Sequence, residues 1–354
     1  MIINITRVGP HLVRRKWDAR GIIKMKLEKV EKISDIQHIA SEIEGEIRRY
    51  VVGYENITRN LIISLLSGGH VLLEGVPGIA KTYLAKAFSG SLSMSMKRIQ
   101  ATPDLMPADI VGTRIYNPKA LEFEFKQGPI FSNLIVVDEI SRAPPKTQSA
   151  LLEAMQEKQV TVDGSTMELK APFIVVATKN PIEFEGTFPL PEAQLDRFLM
   201  RLIMSYQGQK EEVEMLRRKN LKGEEIEINA VVKTSAILSG QKLLHASIKA
   251  SDNMLEYIAE IVRKTRDSDK IMLGASPRAS VALLYASKGF AAISEGRNYV
   301  VPDDVKAVAF DVLNHRLILR PDVMMESNKS RESWGYGLLH DIIKESIEQV
   351  SVRV

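Results

Sequence analysis

Short aliphatic runs alternate with longer amphipathic stretches along the first part of the chain. Val71 to Leu73, Leu134 to Val137 and Phe173 to Val176 are continuous apolar runs of the kind buried on both faces of a parallel sheet, and Leu199 to Met204 is a further strand candidate. Ahead of them, Leu27 to Tyr50 carries Ile33, Ile36, Ile39, Ile43 and Ile47 at the spacing of one helix face. Val51, Val52 and Gly53 break that helix, and Glu55 to Leu66 reads as a second one, ending before Gly68 and Gly69. Lys81 to Phe88 and Pro144 to Lys158 have helical character. Short buried strands separated by helices predict a parallel α/β sheet, whose ligand crevice lies beyond the carboxyl ends of the strands.

Two excursions interrupt the alternation. Residues 103–130 hold Pro103, Pro107, Gly112, Pro118, Gly128 and Pro129 around the polar-aromatic alternation Leu121, Glu122, Phe123, Glu124, Phe125. Residues 159–170 alternate around Asp163-Gly164, a strong hairpin signal. After about Ser205 the β-branched runs thin out. Glu211 to Leu221, Ser251 to Asp267, Arg278 to Gly289 and Asp303 to Leu319 read as helices of a second, all-helical domain, with Pro302 well placed near a helix start.

Composition narrows the chemistry. The chain has 354 residues and no cysteine, which removes disulfides, thiolate catalysis and thiolate metal sites. Its six histidines show no HExxH spacing, which argues against a structural zinc and leaves Mg²⁺, served by oxygen ligands and water, as the metal this composition suits. The net charge of +4 is local: residues 1–30 hold eight Lys or Arg against two acids, a local +6 that leaves about −2 for the rest. Residues 1–29 therefore read as a basic extension, either disordered or not native with Met25 as the start, or else a contact for an anionic surface or RNA. The basic tail lacks a long apolar region and a small-residue cleavage signature and no window reaches membrane length, so neither a secretory signal nor an integral membrane protein is expected.

The chemistry-bearing residues fall at the strand ends. The first strand runs into GVPGIAKT, residues 75–82. Glycines in such a loop let backbone N–H groups converge on phosphate oxygens at a helix start; Lys81 would reach the β and γ phosphates and the Thr82 hydroxyl would ligate Mg²⁺. The strict pattern has glycine where this chain has Ala80, so a glycine-rich surface turn is the competing reading. LIVVDEI, residues 134–140, puts Asp138 and Glu139 at the tip of a buried strand. Asp138 suits the Mg²⁺ shell and Glu139 the attacking water, against the alternative of a solvated acidic cap. Asn180, at the end of a third strand, would reach the γ-phosphate and its water; before a proline it is otherwise a routine turn residue.

Taken together, VVGYENI at 51–57, LLEGVPGIAKT at 72–82, TPDLMPADIVG at 102–112, QGPIFSNLIVVDEISRAPPKTQSALLEAMQEKQVTVDG at 127–164, ATKNPIEFEGTFPLPEAQLDRF at 177–198 and GASPRAS at 274–280 resemble the MoxR family of AAA+ ATPases, from about residue 30 to near the C-terminus. Ala80 is what that resemblance predicts. It implies an AAA+ P-loop core over residues 30–205 and a helical lid over 206–354, with Lys81 and Thr82 as the Walker A pair, Asp138 and Glu139 as the Walker B pair and Asn180 as sensor 1. Arg197 resembles an arginine finger offered to a neighbouring subunit and Arg278 the sensor 2 arginine of the lid. On sequence alone, a salt bridge from Arg197 to Asp196 or Glu192 is the stronger reading. ATP contacts are implied for Val52, Gly53, Gly75, Val76, Pro77, Gly78, Ile79, Ala80, Lys81, Thr82 and Tyr83, and Mg²⁺ contacts for Thr82 and Asp138. Arg142 and Lys146 are open between a neighbouring protomer, phosphates and a helix start.

The resemblance further implies a cytoplasmic ring, a hexamer, that remodels or matures a protein client, often with a separate protein bearing a von Willebrand factor A domain. Inserts at 114–126, with Tyr116, Phe123 and Phe125, and at 158–170 would project toward the ring axis, shifted when hydrolysis moves the lid. Their aromatics would grip a flexible segment or pack on their own domain. Lys179 stands where the family commonly has glutamine, and Tyr54 and Glu55 follow Gly53 where glutamine is also frequent. A nucleic-acid motor is the alternative; no helix-turn-helix, zinc module or basic aromatic stripe supports it. An inactive scaffold is disfavoured by Lys81, Asp138, Glu139 and Asn180 together.

Overall fold

A computed structural model describes residues 28–181, 186–222, 227–323 and 336–352, together with a short antiparallel pair, Lys16–Trp17 and Ile23–Lys24. The basic extension expected over 1–29, with Met25, lies mostly outside these residues, as do Ile182 to Glu185 of the 177–198 segment.

Five parallel strands make the central sheet: β1 (Val71–Glu74), β2 (Met96–Gln100), β5 (Leu134–Asp138), β8 (Ile174–Lys179) and β9 (Met200–Ile203). Their order is β9-β1-β8-β5-β2. The inner strands are buried along their length because alternate residues feed two different cores. Val71, Leu73, Leu134, Val136, Ile174 and Val176 face one apolar cluster, and Leu72, Ile135, Val137, Val175 and Ala177 face the other. The strand absent from the sequence reading is β2, an edge strand in which only Ile99 is buried, so it carries no aliphatic run.

Helices α1 (Ile33–Arg48), α2 (Glu55–Ser67) and α3 (Lys81–Gly90) pack on the first face. Helix α1 starts later than the periodicity suggests because the Asp35 carboxylate accepts from the Glu31 and Lys32 amides at 2.9 and 3.0 Å, fixing its first turn. On the second face, α4 (Pro107–Val111) and α5 (Pro145–Glu157) contribute to the other cluster.

Both excursions are antiparallel hairpins. Strands β3 (Gly112–Asn117) and β4 (Glu122–Gln127) form the first, and β6 (Gln159–Val162) and β7 (Ser165–Glu168) the second. The second turns through Asp163 (φ 49°) and Gly164 (φ 78°), the left-handed pair that matches strand twist. The hairpins touch through Arg114 and Asp163, 3.5 Å apart. In the first, Phe125 packs edge-on to Phe131 of its own domain, with ring centroids 5.9 Å apart. Tyr116 and Phe123 pair with each other and stay exposed.

The short α6 (Glu192–Leu195) lies just ahead of β9, and beyond that strand come α7 (Gln209–Lys222), α8 (Thr234–Ser247), α9 (Asp252–Asp267), α10 (Pro277–Ser294), α11 (Pro302–Leu313) and α12 (Tyr336–Glu348). Helix α10 lies so close to α2 that a Cβ on Gly289 would meet Ile63 Cγ2 at 2.7 Å. The helix expected over Asp303 to Leu319 stops at Leu313, and Ile318–Leu319 pairs with Ile271–Leu273 instead. The intervening Asn314, His315 and Arg316 turn their polar groups to β9 and the segment before it, which ends the helix.

Candidate functional site

The loop after β1 is built by backbone conformation. Gly78 (φ 82°) and Ala80 (φ 70°) are both left-handed, and Ala80 directly precedes the first residue of α3. This conformation is why glycine is usual at position 80, and alanine bears it at about 1 to 2 kcal/mol. A Cβ on Gly75 would come within 2.6 Å of the Met204 carbonyl, so glycine is required there by close approach to the end of β9. Lys81 Nζ donates to the Gly75 carbonyl and, at 2.8 Å, to that of Val76, folding its ammonium over the loop.

The acidic pair sits at the tip of β5 in two different environments. Asp138 is only 2% exposed, which removes the reading as a solvated cap. Its Oδ1 accepts from Thr82 Oγ1 at 2.9 Å and Thr178 Oγ1 at 3.4 Å, and its Oδ2 from Arg98 Nε at 2.5 Å. Glu139 turns left-handed (φ 57°), which swings it away from Asp138, and its amide donates to Thr178 Oγ1 at 2.9 Å. The Glu139 carboxylate meets Arg142 Nε at 2.9 Å and Gln100 Nε2 at 3.4 Å. Arg142 thus engages the acid of its own chain, whereas Lys146 is exposed. Asn180 is buried at the neighbouring strand end. Thr82 and Asp138 bring two hard oxygens together, the donor set Mg²⁺ prefers when water and phosphate complete its shell. Arg98, Gln100 and Thr178 were not singled out in the sequence; Thr178 shares the strand-end signal of Asn180, while Arg98 and Gln100 lie on the edge strand that leaves no hydrophobic trace.

Beside the loop is a cavity of about 450 Å³ walled by Tyr50, Val51, Val52 and Tyr54, by Pro77, Gly78, Ile79, Ala80 and Tyr83, and by Tyr206, Gln207 and Met215 among others. Val52 is part of the wall. Gly53 (φ 80°) stands behind it, where a Cβ would strike Gln207 and, at 2.8 Å, Glu211 Cγ. Tyr54 is fixed by its hydroxyl donating to the Ser205 carbonyl at 2.9 Å. Burial, then the Glu46 carboxylate, pushes the Tyr50 phenol up to about 12, so it stays a neutral donor.

A buried charge network runs from this end of the sheet to the last helices. Glu74, the residue before Gly75, receives Lys179 Nζ at 3.2 Å and Arg201 Nη1 at 3.4 Å. Burial alone would raise the Glu74 carboxyl, but the Arg201 and Lys179 charges and Tyr336 outweigh it and hold it below its ordinary range. Arg201 stacks on the Tyr336 ring at 5.5 Å and donates to Asn314 Oδ1 at 2.7 Å. Lys179, at the position where glutamine is common, therefore balances a buried acid.

Arg197 and Arg278 lie elsewhere. Leu199 N bonds the His70 carbonyl just before β1, which puts Arg197 at the amino ends of the strands, opposite the phosphate loop. Arg197 forms no ion pair among the described residues, and its Nε is buried without a hydrogen-bond partner. The salt bridge to Asp196 or Glu192 expected from sequence is absent among the described residues, and Asp196 is taken by Arg316 Nε at 2.7 Å and Ser276 Oγ at 2.9 Å. Arg278 is exposed two residues beyond Ser276, close enough for its charge, after burial, to help depress the Arg316 guanidinium to about 10.

Comparison with known proteins accounts for this arrangement. The ATPase family associated with various cellular activities (AAA) matches residues 70–200, and the AAA lid domain matches residues 263–333. The chain is 46% identical over 82% of its length to the Bacillus subtilis protein YeaC, spanning 91% of that protein. It is 41% identical to Chaperone MoxR1 of Mycobacterium tuberculosis, over 79% of this chain and 76% of that one. Protein MoxR of Methylorubrum extorquens is 30% identical over 82% of the chain and 90% of its own. The chain belongs to the MoxR family of AAA+ ATPases. A Cytophaga hutchinsonii structure, a candidate ATPase at 38% identity, superposes with a TM-score of 0.80 over 91% of this chain and 97% of that one. As a MoxR-family protein the chain is an ATP-hydrolysing enzyme with a P-loop sheet domain followed by a helical lid. Among the described residues no helix is long and apolar enough to cross a membrane.

Proposed function

We propose that this MoxR-family ATPase works as a ring in which each ATP is held between two copies, and that the cycle remodels or matures a protein client. The observation that carries the reading is the separation of Arg197 and Arg278, at the amino ends of the strands, from Lys81, Asp138, Glu139 and Asn180 at the carboxyl ends. Two copies side by side would bring one set to the other. With residues 30–205 as core and 206–354 as lid, the adenine lies in the cavity walled by Val52, Tyr54 and Tyr206, and the phosphates lie on the 75–82 loop under Lys81. Thr82 and Asp138 would hold Mg²⁺, which would neutralise phosphate charge. Glu139 orients the attacking water once released from Arg142, Asn180 holds the water or the γ-phosphate, and the neighbour's Arg197 fork stabilises the transferring group.

The ring is a cytoplasmic hexamer, and its client is presented with a separate protein carrying a von Willebrand factor A domain. Exposed Tyr116 and Phe123 on the β3–β4 hairpin supply the client grip, braced by the second hairpin through Arg114 and Asp163. The name Chaperone MoxR1 carried by a relative supports a chaperone-like role. ATPase activity per molecule should rise with protein concentration, and R197A should lose about 10³-fold or more in kcat while still binding ATP. Full activity in a strictly monomeric sample would defeat the shared site.

A further inference from the structure

Ser276 occupies the position that caps α10, and serine there normally accepts from the backbone of the first turn. Its side chain makes no such cap. The hydroxyl instead donates to Asp196 Oδ2 at 2.9 Å. The other oxygen of Asp196 takes Arg316 Nε at 2.7 Å, and the buried Arg316 guanidinium donates to the carbonyls of Phe198 at 2.6 Å and Leu199 at 3.2 Å. One carboxylate therefore joins the segment entering β9, the turn after α11 and the start of α10. Arg197 is the next residue after Asp196, and Arg278 follows Ser276 by two. A helix that gives up its own cap for a contact across the fold breaks a local rule, and such breaks mark places where another requirement wins.

We propose that Asp196 is a positioning residue that sets Arg197 and Arg278 as one unit for the adjoining copy's ATP, with Ser276 and Arg316 as its two anchors. The proposal rests on the shared-site reading. Without the Asp196 charge, the Arg316 guanidinium keeps its carbonyl partners but loses its counter-charge, and the hold on Ser276 weakens. The two arginines then lose their common frame, while the ATP site of the same copy, at the other end of the sheet, keeps its contacts.

Asp196→Asn retains the shape and removes the charge. Its kcat should fall about 10- to 100-fold, the cost of misplacing a transition-state group, with KM for ATP and nucleotide affinity unchanged. In an R197A background the same change should cost nothing further beyond loss of the Arg278 contribution, so the double variant should lie well above the product of the single effects. Mixing D196N with E139Q protein should restore turnover, because E139Q copies lend an intact arginine unit to the sound ATP sites of D196N copies. S276A should lower kcat by a smaller factor, again at constant KM. A D196N kcat within twofold of wild type, or losses that multiply fully in the R197A background, would overturn the proposal. If D196N does not fold, S276A decides, and wild-type turnover in S276A overturns it. R197A retaining full turnover would instead remove the shared-site reading on which the proposal stands.

Discussion

The two ends of the sheet are built by different means. At the carboxyl ends, position is stored in the backbone: Ala80 and Glu139 hold left-handed conformations, Gly75 is pressed against Met204, and hydroxyl bonds from Thr82 and Thr178 hold Asp138. At the amino ends, the segments that carry Arg197 and Arg278 are joined by side chains reaching across the fold, Asp196 to Arg316 and to Ser276. A site made of backbone keeps its geometry when a remote helix shifts. One made of ion pairs and hydroxyls follows the helix. On the proposed reading, nucleotide binding and its dependence on the lid fall at opposite ends of one small sheet.

The sharpest way to isolate the first end is E139Q. It should bind ATP with near-normal affinity and lose about 10²- to 10⁴-fold in kcat, as measured by phosphate release beside a nucleotide titration. Unchanged turnover would remove Glu139 from its role. The second end should be sensitive to how the lid is seated. G289A forces a methyl against Ile63 and should destabilise the protein by about 1 to 3 kcal/mol in thermal or denaturant melts, with kcat falling more than ATP affinity. An equal fall in both would erase the distinction between the ends.

Between α11 and α2, Asn60 Nδ2 donates to Asp311 at 2.6 Å. Burial raises the Asp311 carboxyl to about 7, against the opposing Asn60 bond and Arg201 charge. The native state therefore holds this proton more tightly than the unfolded chain. The associated stability is complete below about pH 4 and is lost as pH rises through about 7. D311N should flatten that part of the difference in denaturant midpoint between pH 5 and pH 8; an identical slope in both proteins would contradict the assignment. The smallest expected effect is at the first end: A80G relieves a left-handed alanine and should gain up to about 1 kcal/mol with turnover little changed.

The carboxyl-end site was legible because its chemistry coincides with hydrophobic punctuation. Aliphatic runs end at Glu74, Asp138 and Thr178, so the polar residues that follow announce themselves. The hairpin at Asp163-Gly164 was legible for a similar local reason. By contrast, Arg98 and Gln100 sit on an edge strand whose side chains are mostly exposed, and nothing in their spacing reports that they face Asp138 and Glu139. The amino-end site was legible only through family resemblance. Read by proximity along the chain, Arg197 belongs with Asp196, yet the partner Asp196 takes is Arg316, 120 residues away. Arg316 itself fell inside a stretch read as helix, because apolar spacing from Val305 to Leu319 continues past the point where Asn314 to Arg316 turn toward β9.

One apolar cluster extends from Val30, ahead of α1, through β1, β5 and β8 to Val350, beyond α12. A wide hinge opening of the later helices would strip that shared core, with nothing but water to replace it. The movement such packing permits is shear, a small slide of interlocked helices over one another. Each ATP would then yield a short stroke at the hairpin tips. In the proposed ring, work on a client would accumulate as a ratchet of many such strokes.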